Sequence, residues 1–347
     1  MDQYEAKSED VRSLSEHGDA AIAARDLVKT YPKGTRALDG LTFSVRRGAV
    51  FGLLGPNGAG KSTAIKILTT LSQPDSGSAT VAGIDVLANP QAVRRAIGCV
   101  AQRSSVDMPS TGRENLTLQG QLYDLTGHEL KSRVSKLLER FRLTEAADRV
   151  AKTFSGGMQR KLDIAMGLIH HPKVLFLDEP TTGLDPEARA DMWNEIARLS
   201  QEGLTILLTT HYLEEADRLA ERLAIIDRGR VVVEGTPEEL KAELKGDSVS
   251  IDLFEVADEP TVRRAADRTG QVNQVIVDGK AVHARVNHGA SALPALLGAL
   301  ESEGVKAASV RLSRPSLDDV YLRYTGRTFE QAEAAQQQGP RGKWGTP

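Results

Sequence analysis

The stretch Gly55-Pro56-Asn57-Gly58-Ala59-Gly60-Lys61-Ser62-Thr63 constrains this chain more than any other. It follows an apolar run, Val50 to Leu54, that reads as a buried strand, and it leads into Ala64-Ile65-Lys66-Ile67-Leu68, which has the spacing of an opening helix. Four residues separate Gly55 from Gly60-Lys61-Ser62, so the stretch meets the P-loop pattern in the strand, loop and helix context that the pattern requires. Glycines at 55, 58 and 60 let the backbone curl with its N–H groups inward, and the positive end of the helix dipole adds to that anion site. Lys61 would then reach the β- and γ-phosphates and Ser62 would ligate Mg²⁺. A glycine-rich turn that merely precedes a helix has no need of both side chains.

Further along, Val174-Leu175-Phe176-Leu177 is a continuous apolar run of parallel-sheet type that ends in Asp178-Glu179-Pro180. Asp178 is what a Mg²⁺ site needs opposite Ser62, and Glu179 can polarise an attacking water or accept its proton. A strand from Leu204 to Thr209 precedes His211, whose neutral imidazole could hydrogen-bond a γ-phosphate and the water; in isolation such a histidine is usually structural. Ser155 reads as the N-cap of a helix from Met158 to about His170, stopped by Pro172. His170 and His171 at its end are explained by favourable pairing with the helix dipole. Strands alternating with helices imply an α/β fold with a mainly parallel sheet and ligands at the carboxyl ends of its strands. A helical stretch from about Thr111 to Leu143, broken near Thr126-Gly127, reads as a small helical insert.

The chain has 347 residues, room for about two domains, and its 40% apolar and 26% charged residues are those of a soluble globular protein. A net charge of −3 argues against a dedicated nucleic-acid surface. No run approaches the roughly 18 apolar residues of a membrane span and no signal peptide opens the chain, so a cytoplasmic location is expected. The single cysteine, Cys99, excludes an internal disulfide and reads as a small buried hydrophobe. Residues 1–20 read as a flexible arm.

From about residue 22 to 240 the chain resembles the ATP-binding cassette of the ABC transporter superfamily. Beyond the P-loop, Phe154-Ser155-Gly156-Gly157-Met158 resembles the family's signature loop, with Met158 where many members have glutamine. Leu175 to Glu179 resembles its Walker B strand, Gln102 its Q-loop glutamine, Gly183-Leu184-Asp185-Pro186 its D-loop and His211 its switch histidine. Tyr31, on its own a core aromatic, matches the ring that stacks on adenine. The resemblance implies an ATPase with ATP and Mg²⁺ as cofactors. Glu179, His211 and Gln102 would be catalytic, and Ser62, Gln102 and Asp178 would hold the metal. It also implies a head-to-tail homodimer, each ATP lying between the P-loop, Gly55 to Thr63, of one protomer and the signature loop, Ser155, Gly156 and Gly157, of the other, with Asp185 also among the nucleotide-binding residues.

The capping box Thr236-Pro237-Glu238-Glu239 precedes a second unit with a βαββαβ order, the ferredoxin-like α+β pattern, whose Asp278-Gly279 pair is a hairpin signal. The expected division is an ATPase domain over 21–245, a small domain over 246–327 and a disordered tail over 328–347. Pro315 to Leu322 with Thr325-Gly326-Arg327 is similar to the ending of the daunorubicin-resistance type of ATP-binding subunit. That implies the motor of an exporter of drugs, antibiotics or lipids, peripheral on the cytoplasmic face of the membrane, with a separate integral-membrane permease docked around Gln102 to Asn115. The alternative is a soluble ABC ATPase acting on ribosomes or DNA, and a third reading is an adaptor that binds ATP without turnover. The small domain could bind an effector, support the dimer or dock a partner.

Overall fold

The computed structural model describes residues 20–32, 34–244, 246–287 and 289–337. The arm expected over 1–20 therefore lies outside the described residues, apart from Ala20. The chain forms two compact units that divide between Glu234 and Gly235.

The first unit contains β1 (Ala20–Tyr31), β2 (Thr35–Arg46), β3 (Val50–Leu54), β4 (Ser76–Val81), β5 (Ile84–Asp85), β6 (Ile97–Val100), β7 (Val174–Asp178), β8 (Thr205–Thr210), β9 (Arg222–Asp227) and β10 (Arg230–Gly235). Six of these strands form a central sheet in the order β10-β9-β3-β8-β7-β6. Within it β3 runs parallel to β8 and β9, and β7 parallel to β6 and β8. Period-two alternation sends successive side chains into two separate cores. Val50, Leu175, Leu177, Ile206 and Leu208 join the core built with the helical insert. Phe51, Leu53, Val174, Phe176 and Leu207 join the core shared with β1, β2 and the helix Lys61–Leu68. Because both faces are covered, every residue of β3 and β8 is buried, which is why these strands read as unbroken apolar runs.

β1, β2, β4 and β5 form a second sheet, order β2-β1-β4-β5, whose strands pair antiparallel. The expectation of a mainly parallel sheet misses this layer. Its cause is local: Gly34 N–H bonds to Tyr31 O at 3.2 Å in a tight turn between β1 and β2, and so short a connection permits only antiparallel pairing. The insert is a pair of helices, Gly112–Leu122 and Gly127–Arg140, the first opened by a Thr111/Glu114 capping box.

Cys99 corrects the sequence reading. It lies on β6, the edge strand of the central sheet, with its outer face exposed. Desolvation by the surrounding chain and then the Asp178 charge push its thiol up to about 11, so it is protonated and inert. The two histidines are corrected as well. His170 stacks on Tyr123 at 3.7 Å and 1°, with Nε2 2.9 Å from Ile97 O. Burial lowers the pKa of both His170 and His171, and a neutral ring gains nothing from the helix dipole.

The second unit opens with the capped helix Pro237–Ala242 and continues β11 (Asp247–Leu253), helix Glu259–Thr269, β12 (Val272–Asp278), β13 (Ala281–Val286), helix Gly289–Ser302 and β14 (Ala307–Ser313). Its antiparallel sheet has the order β12-β13-β11-β14, with Gly279 at φ 56° in the turn between β12 and β13. Val249, Ile251, Val282, Ala284 and Val286 pack against Val262, Ala265, Leu296 and Leu300 of the two helices. The helix Leu317–Thr325 follows, opened by a Ser316/Asp319 capping box.

The disordered tail expected from residue 328 is corrected for its first part. Phe329–Gln337 is helical: Thr328 and Gln331 bond each other across its first turn, and Phe329, 5% exposed, meets Tyr321 edge-on at 5.0 Å. One aromatic anchor outweighs a composition that otherwise reads as solvating. The remainder, 338–347, lies outside the described residues.

Candidate functional site

The loop after β3 is shaped by close approaches of backbone. A Cβ at Gly55 would lie 2.4 Å from Ile226 O, and one at Gly60, where φ is 115°, would lie 2.6 Å from Ala37 O. Ala59 O accepts from Gly229 N–H at 2.8 Å, which ties the loop to the β9–β10 turn. Pro56, Ala59 and Gly60 are buried, while Asn57, Gly58 and Ser62 are exposed and Thr63 half-buried. Lys61, 4% exposed, donates to Gly55 O at 2.6 Å and Pro56 O at 3.2 Å, and its ammonium lies 3.7 Å from Glu179 Oε1. Among the described residues nothing engages the Ser62 hydroxyl.

Three strand ends meet this loop. Asp178 closes β7 and accepts from the Thr209 hydroxyl of β8. Glu179, 7% exposed, has φ 48°, a left-handed conformation that costs a non-glycine residue about 1 kcal/mol or more. It is held there by Thr209, whose carbonyl and hydroxyl accept from Glu179 N–H at 3.1 and 3.2 Å. Its carboxylate gathers Gln102 Nε2 at 2.9 Å, His211 Nδ1 at 3.2 Å and the Thr182 hydroxyl at 3.4 Å. The His211 contact is close but poorly aligned, and Nδ1 has no better partner. Burial raises the Glu179 pKa, but His211, Lys61 and Thr182 together outweigh it and hold the group below its ordinary range. Glu179 is therefore ionised at neutral pH, and Lys61, Gln102, Glu179 and His211 form one constellation.

Ser155 caps the helix Gly156–Leu168, its hydroxyl accepting from Met158 N–H at 3.3 Å. Ser155 and Gly156 are exposed, whereas Gly157 is buried, and a Cβ there would lie 2.9 Å from the Ala188 Cβ. Met158 packs on the helical core. Asp185 caps the helix Pro186–Gln201, accepting from Ala188 N–H at 2.8 Å. Tyr31 is half-buried at the end of β1, with Lys29 Nζ 6.0 Å from its ring centre.

The sequence reading passes over four buried polar residues beside this constellation. Thr209 has just been described. Glu215, fully buried, accepts from the Thr181 hydroxyl at 2.8 Å and from Trp193 Nε1 at 3.1 Å. Arg160 and Asp163, on the helix that Ser155 caps, bind the segments carrying Gln102 and Glu179. The available signal was a charge interrupting an apolar helix face.

These residues fit a nucleoside triphosphate with Mg²⁺. The cradle excludes a Cβ at 55 and 60, and a buried lysine inside it is held by carbonyls and one carboxylate. Ser62, the Gln102 amide oxygen and Asp178 are hard oxygen donors of the kind Mg²⁺ prefers and are the residues that would hold it. Among the described residues no group of three His, Cys, Asp or Glu side chains could hold another metal, and no helix is long and apolar enough to cross a membrane.

Comparison with known proteins agrees with this geometry. Residues 38–182 match the family described as ABC transporter, and residues 235–325 match the C-terminal domain of DrrA1-3-like ATP-binding proteins. The chain is 46% identical over 318 residues to the daunorubicin resistance ATP-binding protein DrrA2 of Streptomyces coeruleorubidus, covering 90% of this chain and 98% of that one. It is 39% identical to the Nod factor export ATP-binding protein I of Burkholderia thailandensis, covering 84% and 93%. Among solved structures, the dimeric post-hydrolysis state of the ATP-binding cassette MJ0796 bound to ADP and Pi is similar, with a TM-score of 0.57 and 26% identity over 62% of this chain and 98% of that one.

Proposed function

The chain belongs to the ABC transporter family, and from that membership we propose that it is the ATP-hydrolysing motor subunit of an exporter, driving a separate integral-membrane permease. The observation that carries the reading is the ionised Glu179 held between Lys61, Gln102 and His211 at the mouth of the P-loop. Glu179 orients a water and draws on its proton through Oε1 or Oε2, and His211 fixes that carboxylate and senses the γ-phosphate. Backbone N–H groups from Gly55 to Thr63 and the Lys61 ammonium carry the phosphate charge, and Tyr31 stacks on the adenine. Ser62, Gln102 and Asp178 would hold Mg²⁺, which would supply charge neutralisation there.

The exposed Ser155 and Gly156 at a helix N-terminus suit an anion presented by a second copy, so each nucleotide in a homodimer is closed from the opposite protomer by Ser155, Gly156, Gly157 and Asp185. MJ0796, described as a dimer, supports this arrangement. The names of the relatives, daunorubicin resistance and Nod factor export, favour a drug, antibiotic or lipid-like cargo. The permease docks near Gln102 to Asn115, and Leu118 and Leu122, 55% and 70% exposed, extend an apolar surface along the helix that carries Asn115. Arg113 is a poor probe of that surface, since it is paired with Asp148 at 2.7 Å. On this reading the chain works in the cytoplasm, peripheral to the membrane. The C-terminal domain is taken as ferredoxin-like, a reading supported by its strand order, and it begins at Gly235, where the compact units divide, rather than at the expected 246. Ribosomes and DNA are not favoured as partners.

Glu179→Gln tests the assignment. We expect ATP binding to persist, turnover to fall by at least about 10²-fold, and ATP to drive a stable dimer seen by light scattering. Turnover at the native rate would remove Glu179 from this role.

A further inference from the structure

His211 Nδ1 lies 3.2 Å from Glu179 Oε1 without good alignment, so that contact alone does not set the plane of the imidazole. What lies against the ring is Tyr212, with the two ring centres 4.1 Å apart and the planes tilted by 39°.

Tyr212 is an unexpected residue for its place in the chain. It stands at the N-cap of the short helix Leu213–Leu219, where Ser, Thr, Asp or Asn would accept a backbone N–H, and its side chain caps nothing. Among the described residues nothing engages its hydroxyl. The ring, however, has a second neighbour, because Arg189 Cζ lies 5.0 Å from its centre. Arg189 is half-buried on the helix Pro186–Gln201; its Nη2 reaches Leu184 O only at 3.4 Å, and its buried Nε has no hydrogen bond among the described residues. A guanidinium with donors to spare and little water around it is drawn to an aromatic face more strongly than an exposed one. Guanidinium, phenol ring and imidazole thus follow one another from that helix to the Glu179 carboxylate.

We propose that Tyr212, braced by Arg189, is a positioning residue whose ring fixes the orientation of His211 for hydrolysis. The inference rests on the role given to His211 above. Packing against the phenol ring restricts the two side-chain torsions of the histidine, so its nitrogens stay directed at the Glu179 carboxylate and the mouth of the P-loop without reorganising during the reaction. The helix gives up a side-chain cap at position 212 in exchange for this contact. Tyr212 acts through His211 alone, so its removal lowers turnover and spares the binding of ATP.

The test is phosphate release by the full chain with ATP and Mg²⁺. Tyr212→Ser exchanges the ring for a hydroxyl able to cap the helix. We expect its kcat to fall at least about tenfold with KM within about twofold of the parent, whereas Tyr212→Phe, which keeps the ring, stays within about twofold in both. Arg189→Leu leaves position 212 intact and serves as the second variant; its kcat falls at least about threefold, again without a change in KM. In a His211→Ala background, adding Tyr212→Ser removes no further activity, which a merely structural residue would do. Native kcat in Tyr212→Ser, no rescue by phenylalanine, or the same fractional loss with and without His211 overturns the proposal, and native kcat in Arg189→Leu removes the brace. If His211→Ala alone hydrolyses ATP at the native rate, the reading of His211 fails and takes this inference with it, and that control shows which of the two was at fault.

Discussion

Gly156 and Gly157 stand side by side in one motif, and the structure assigns them different reasons for being glycine. A Cβ at Gly157 would lie 2.9 Å from the Ala188 Cβ, whereas at Gly156 the nearest atom is Leu184 Cδ2 at 3.8 Å. Carbon pairs settle at about 3.5–4.0 Å, so Gly157→Ala must move the two helices apart by about 0.6–1.1 Å. Neither atom is the end of a flexible side chain, so the strain cannot be relieved by a rotamer change. Overpacking of this kind costs about 1–3 kcal/mol, against a helix-propensity gain of at most about 1 kcal/mol that both substitutions share. Gly157→Ala should therefore be less stable than Gly156→Ala by about 1–3 kcal/mol in urea denaturation followed by circular dichroism. Adding Ala188→Gly should recover most of that difference. Gly156→Ala should fold normally and yet fail to form the ATP-dependent dimer in the Glu179→Gln background, because the methyl group occupies the exposed helix entrance. Equal stability of the two variants, or no recovery with Ala188→Gly, would refute the packing argument.

Two further outcomes follow from buried groups. Burial raises the Glu215 pKa above 4.5 despite hydrogen bonds from Thr210, Thr181 and Trp193. The folded state thus holds that proton more tightly than the unfolded chain. Stability from it is present below pH 4.5 and is lost as pH rises through the folded pKa. Glu215→Gln should accordingly be more stable than the parent at pH 8 and converge with it in acid, as measured by urea midpoints across pH; a gap independent of pH would contradict this. Phe329→Ala should cost about 3–5 kcal/mol, because it empties a 5% exposed site against Tyr321. Thermal unfolding unchanged by that substitution would mean that the last helix is not docked.

The parts of the site that could be read in the sequence are those written in contiguous residues. The P-loop, Asp178-Glu179 and Ser155-Gly156-Gly157 each place their chemistry through local backbone geometry, so spacing alone reveals them. The central strands were legible because a strand covered on both faces must be apolar throughout. What stayed hidden depends on neighbours distant in sequence. Arg160 finds its partners at 101 and 178–180, Asp163 at 105, and Glu215 at 181 and 193, and a charge interrupting an apolar helix face marks such a residue without naming its partners. Cys99 was misjudged for a related reason, since which strand ends at a sheet edge is a property of topology rather than of residue type. The helix Phe329–Gln337 was missed because its polar composition masks the one aromatic that anchors it.

The central claim is that this chain powers transport through a separate membrane protein. The most direct test is purification of the tagged full chain from detergent-solubilised membranes of its own host, with mass spectrometry of what accompanies it. We expect a polytopic membrane protein at near-equal stoichiometry, retained through washing and released when Leu122 is changed to Glu. Recovery of ribosomal proteins or nucleic acid from the soluble fraction, with no membrane partner, would contradict the claim.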